Sequence, residues 1–92
     1  MVRSDTNPND AVTVALDALA WILKEPFRAE RFVALTGLSP DELRRRIGEP
    51  VVLGAALAFL ESHEPDLIAC ADSIGTTPGA LVAARVALEA AA

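Results

Sequence analysis

The single histidine of the chain lies in "ESHEPD" (61–66), where His63 stands beside Glu61, Glu64 and Asp66. Imidazole and carboxylate are metal ligands and proton carriers, so this stretch is the first place to look for chemistry. Its spacing matches no structural zinc pattern, and such a site needs more His or Cys than this chain holds. A plainer reading fits the residues. His63 ends one helix, where partial positive charge suits the dipole, and Glu64-Pro65-Asp66 opens the next. Whether the group takes a metal is left open by the sequence. Covalent catalysis lacks a nucleophile–base pair: there is one His, no Tyr and one Cys. The pattern Leu67, Cys70, Ala71, Ile74 sets that thiol on a core face. There is no glycine-rich phosphate loop. The expectation is a chain with no catalytic residue, no cofactor and no metal, and so no enzymatic activity of its own.

A second constellation concerns nucleic acid. Ala71, Gly75 and Leu81 are spaced as a helix-turn-helix spaces its small residue, its turn glycine and its core apolar residue. Reading DNA also needs donors and acceptors on the exposed face of the second helix, with bases for phosphate. With Leu81, Ala84 and Leu88 turned inward, the outer face shows Gly79, Val82, Ala83, Val86 and Ala90, none of which hydrogen-bonds to a base edge. Arg85 is the one base there, and Glu89 lies one turn on to pair with it. The basic cluster is elsewhere, in "DELRRRIG", where spacing sets Asp41 against Arg45 and Glu42 against Arg46. From Lys24 to Arg46 the chain carries six bases and four acids, against a net charge of −5 for the whole. The remainder is therefore strongly acidic and repels phosphate. A protein contact rimmed by Arg44 and Arg45 fits better than nucleic acid. A nucleic-acid-associated role through Arg44–Arg46 is kept as the alternative.

Prolines place these residues on elements. All six fit the first turn of a helix, where the missing N–H costs nothing and the fixed φ is already helical. Pro8 follows Asn7, Pro40 follows Ser39 and Pro78 follows Thr77, all good N-caps, whereas Pro26, Pro50 and Pro65 follow glutamates. The punctuation predicts helices over 8–24, 26–36, 40–47, 50–63, 65–74 and 78–90. Gly37, Gly48 and Gly75 stand where left-handed C-caps belong. "LTGLSPDEL" is the best-specified joint, with Gly37 closing one helix, Ser39 and Glu42 forming a capping box, and Leu38 and Leu43 in staple positions. Gly-x-Ser/Thr-Pro-x-x-Leu at 37–43 returns at 75–81. That return is what any tight helix–helix turn requires, and it is also compatible with a duplicated unit. No strand alternation appears.

At 92 residues the chain makes one small domain, 7–92, behind a polar N-terminus (1–6) expected to be disordered. The lone cysteine and the polar start argue against secretion, and the longest uncharged runs are too short to span a bilayer. A cytoplasmic protein with no membrane contact is expected. Apolar residues make up 52% of the chain, more than so small an interior takes in, so some are expected to face a protein partner or a second copy. The candidates for that contact are Val82 and Val86, Arg44 and Arg45, and Trp21. In the first helix Val12, Leu16, Leu19 and Leu23 form the expected core stripe, with Trp21 off it. Either Phe27 or Arg31 roofs this tryptophan from the next helix, or it is a partner anchor.

"ALDALAWIL", "RFVALTGLSPDELRRRIGEP" and "LAFLESHEPDLIACADSIGTTPGAL" resemble a family of short alphaproteobacterial proteins, the domain-of-unknown-function family 3572, over about Ala11 to Leu88. The resemblance implies a small intracellular helical domain and brings no ligand or catalytic residue with it. The fold expected is an all-α bundle of five or six short helices with helix-turn-helix-like corners. The function expected is a protein-interaction module.

Overall fold

The computed structural model describes residues 8–91. Asn7 as a cap, and the disorder expected of residues 1–6, lie outside the described residues. Six helices follow in order: α1 (Pro8–Lys24), α2 (Pro26–Thr36), α3 (Pro40–Arg46), α4 (Pro50–Glu61), α5 (Glu64–Ile74) and α6 (Pro78–Ala91). There is no strand among the described residues. Five of the six open on proline, and α5 opens one residue before Pro65.

The joints form for local reasons. Gly37 adopts φ +73°, and its N–H returns to the Val33 carbonyl at 2.9 Å, which ends α2. Ser39 Oγ accepts the Glu42 N–H at 3.1 Å, and Glu42 Oε1 accepts the Ser39 N–H at 3.0 Å, completing the capping box of α3. Leu38 is half-buried and Leu43 buried, as staple residues are. At the second corner Gly75 takes φ +77°, and the Thr76 N–H reaches the Ala71 carbonyl at 2.8 Å. Thr77 Oγ1 then accepts the Ala80 N–H at 3.1 Å and caps α6. Gly48 differs from expectation. It has no positive φ. Ile47 stays right-handed, and the Glu49 N–H closes an ordinary turn on the Arg46 carbonyl at 2.9 Å, so no left-handed residue is needed. Helix α4 also stops at Glu61 rather than at residue 63, where Ser62 turns its hydroxyl onto the Phe59 carbonyl.

Helices α1, α4 and α6 pack on one another, α5 closes against all three, and α2 lies along α1 and α4. Helix α4 is at the centre, with Val52, Leu53, Leu57 and Leu60 essentially inaccessible. Phe59 meets Phe32 of α2 edge-to-face, ring centroids 5.4 Å apart, which pins α2 to α4. The core stripe of α1 is Ala11, Ala15, Ala18, Leu19 and Ile22, not Val12, Leu16, Leu19 and Leu23. It is rotated by most of one residue step, because α1 sits against both α4 and α6, and alanines let three axes approach closely. Val12 and Leu16 are half-buried at the flank, and Leu23 is 38% exposed.

Candidate interaction surface

On folding, Glu61 and Asp66 of "ESHEPD" take different partners, and only His63 and Asp66 of the stretch meet. Glu61 ion-pairs with Arg85 of α6. Asp66 Oδ2 takes Arg31 Nη2 at 2.7 Å and His63 Nδ1 at 3.1 Å. His63 does not end α4; it stands at the N-cap of α5, in extended backbone. No group of three His, Cys, Asp or Glu among the described residues is placed to hold a metal. Cys70 is buried on the inner face of α5, as its pattern requires, and burial pushes its thiol from the ordinary 9.0 up to about 11.

The helix-turn-helix spacing has its geometry. Ala71 and Leu81 are buried, Gly75 is left-handed, and α5 and α6 meet at 97°. On α6, Ala83, Val86 and Ala90 are exposed and Val82 is half-covered. Arg85 is held twice, by Glu61 and by Glu89 at 2.8 Å. The hydrogen bond to Glu61, then that to Glu89, raises its already high pKa. The single base on this helix is therefore engaged within the domain.

In the arginine cluster the pairing differs from that set by i,i+4 spacing. Arg44 reaches Asp41 at 3.1 Å, and Arg46 reaches forward to Glu49 at 2.9 Å. Glu42 is committed to its own cap. The Ser39 N–H is the main cause holding its carboxyl below the usual range, with Arg45 and Arg46 adding to it. Arg45 is exposed and forms no ion pair among the described residues.

Trp21 is roofed, but by Arg28 and not by Phe27 or Arg31. The Arg28 guanidinium lies 3.6 Å from the ring centroid and donates to the Trp21 carbonyl. Phe27 points away and is 75% exposed, while Arg31 lies over Phe59, 5.4 Å from its centroid. Trp21 is half-buried under this cover and does not stand free as an anchor.

One surface feature goes beyond the sequence reading. At one end of the bundle α1, α2 and α3 leave an apolar cleft of about 310 Å³, walled by Leu23, Ala29, Val33, Pro40, Leu43 and Ile47, with Arg44 at its edge. Leu23, expected in the core stripe of the first helix, and Ile47, expected as the last residue of the helix over 40–47, both wall this cleft. The signal was present in the short α3, which has a single buried residue, Leu43, and so cannot close the space beside α2. Other apolar side chains are also exposed: Val51 lines a further cleft with Pro50, Ala55 and Ala58, Ile68 another with Pro65 and Ala69, and Leu35 is 71% exposed.

Among the described residues no single helix is long and apolar enough to cross a membrane. No curated protein and no solved structure matches the chain. The family model described as "Protein of unknown function (DUF3572)" matches residues 8–91, from the first turn of α1 to the last of α6. The match spans all six helices, and the chain belongs to the DUF3572 family.

Proposed function

We propose that this chain is a non-enzymatic protein-interaction module of the cytoplasm. The observation that carries the reading is the cleft between α1, α2 and α3. The core holds no buried charged or polar residue among those described. At the cleft Leu23 and Ile47 remain 38% and 39% exposed around a concave apolar wall. A concave apolar surface rimmed by arginine is the kind of place where an interface anchors. The absence of a paired nucleophile and base in the sequence supports a role without catalysis.

A second reading, a nucleic-acid-associated protein, is favoured by the α5–α6 corner. Its weakness is chemical. The corner presents Val, Ala and an engaged Arg85, while the basic cluster sits on a different helix, α3.

The test is affinity capture of the intact tagged chain from its native cells, with Val33→Asp as the paired bait. Val33 lines the cleft and is half-buried, so a carboxylate there spoils the wall without opening the core. The expected result is a protein retained by the wild type and lost by a variant that keeps its helical signal. Equal retention by both baits, or retention of nothing by either, overturns the reading.

A further inference from the structure

We infer that the outer face of α5 is a second contact surface, which receives a basic amphipathic helix of another protein. This surface is separate from the α1–α2–α3 cleft and goes beyond the reading above. It follows from the way α5 is buried. Cys70 and Ala71 face the core, and the helix turns Glu64, Pro65, Ile68, Ala69 and Asp72 outward. These five line a shallow groove of about 490 Å³, and Ile68 within it is 52% exposed. Glu64, Ile68 and Asp72 follow at four-residue intervals and form one stripe, about 12 Å long at the rise of a helix. An exposed apolar side chain is thus bracketed by two carboxylates.

Charge selects the occupant. Between Arg46 and Arg85 the chain holds five acids and no Lys or Arg. Three of the five are engaged within the domain: Glu49 by Arg46, Glu61 by Arg85, and Asp66 by Arg31 and His63. The two without an ion pair among the described residues are Glu64 and Asp72, both exposed and both on the groove itself. Covering the groove with a neutral or acidic surface strands these charges, whereas Lys or Arg opposite them pairs them. Nucleic acid and anionic membrane are repelled by the same carboxylates and by the net charge of −5. Ile68 adds the need for an apolar residue halfway along. A base, an apolar side chain one turn on and a second base after another turn make the stripe of an amphipathic helix. Laid along α5, that helix meets Glu64, Ile68 and Asp72 in turn.

Two synthetic helical peptides of about 15 residues test this. They share one leucine stripe, flanked by Lys in one and by Glu in the other. Each is titrated into the intact, isotope-labelled chain and followed by amide chemical shifts. The Lys peptide is expected to bind the tighter and to shift Ile68, Ala69 and Asp72. General attraction to an acidic protein also favours Lys, so two double variants separate the groove from the overall charge. Glu64→Gln with Asp72→Asn removes the groove pair. Asp17→Asn with Glu30→Gln removes two exposed acids of α1 and α2 and changes the net charge by the same amount. The groove variant is expected to weaken the Lys peptide about five-fold or more, and the control less than about two-fold. Ile68→Ser is expected to weaken it as well, with the helical signal retained. Equal loss in the two double variants, equal or tighter binding of the Glu peptide, or shifts mapping elsewhere would overturn the inference. So would a dilution series of the chain alone that moves the same amides, since the occupant would then be a second copy. Val33→Asp is expected to leave the Lys peptide bound. Loss in Val33→Asp, with shifts at Val33 and Leu43, would place the peptide in the α1–α2–α3 cleft, overturning this inference and leaving the reading of that cleft standing.

Discussion

Arg28 lies flat over Trp21, its guanidinium carbon 3.6 Å from the ring centroid, with one Nη donating to the Trp21 carbonyl. The contact spans the sharp joint between α1 and α2. Glu25 caps that joint by accepting the Phe27 and Arg28 N–H groups at 3.1 and 3.0 Å. Arg28 therefore serves the joint twice, its N–H in the Glu25 cap and its guanidinium on Trp21. Its Nε is buried without a hydrogen-bond partner, so part of the gain is offset by desolvation.

Arg28→Ala uncovers the only tryptophan. The expected result is a red-shifted, more readily quenched emission and a loss of about 1 kcal/mol, the scale of a partly desolvated cation–π contact. Fluorescence with acrylamide quenching, beside a denaturant titration, measures both. Unchanged emission would mean that Arg28 does not cover the ring.

Why the sequence named the wrong roof is instructive. The joint was legible, because Glu-Pro forces it. Which side chain of α2 comes over Trp21 depends on the rotation of α1. Ranking Leu and Val above Ala as core residues predicts a different rotation from the one the helix adopts. Close packing of α1 on α4 and α6 selects Ala11, Ala15 and Ala18 instead, a tertiary demand with no local signature. The same ranking places Leu23 in the core, whereas it is 38% exposed and lines the cleft. Proline, glycine and capping residues act within a few positions, so the helix ends came out nearly as the punctuation predicted.

The Gly37 turn carries a stability prediction with a built-in control. A Cβ at Gly37 would meet nothing within 4 Å, so any cost of substitution is backbone strain at φ +73° and not a clash. Gly37→Val is expected to cost about 1–3 kcal/mol. Gly48 is equally open but has no positive φ, so Gly48→Val should cost well under about 1 kcal/mol. Paired urea titrations compare the two, and equal costs would contradict a left-handed cap at Gly37.

Helix α6 separates an outer valine from an inner leucine. Val86 is 54% exposed and Leu88 1%. Val86→Glu should leave the melting midpoint nearly unchanged, within about 0.5 kcal/mol. Leu88→Ala should cost about 2–5 kcal/mol through lost burial and a cavity. Sedimentation of the wild type and Val86→Glu adds the association state. A wild type heavier than the monomer, lightened by Val86→Glu, would assign a self-contact to this face.

Nucleic acid gives the next prediction. With Arg85 engaged by Glu61 and Glu89 and the rest of the α6 face apolar, no sequence-specific duplex binding is expected at about 150 mM salt. Anisotropy titrations over genomic fragments test it. Sub-micromolar binding with a steep salt slope would favour the second functional reading over the first.

Cys70 supplies a pH signature. Its thiol is neutral in the fold, and burial moves its pKa from 9.0 to about 11. The unfolded chain ionises first as pH rises, so proton binding favours the folded state below about 9, and this advantage is lost between about 9 and 11. At 1.36 kcal/mol per unit the difference is of order 2–3 kcal/mol at most. Other groups titrate in this window, so the comparison is with Cys70→Ala, which lacks the thiol and keeps the rest. The gap in unfolding free energy between wild type and Cys70→Ala should narrow or change sign as pH is raised from 8 through about 10.5. A gap that stays constant would mean that the thiolate is tolerated in the fold, and that Cys70 is less enclosed than its burial implies.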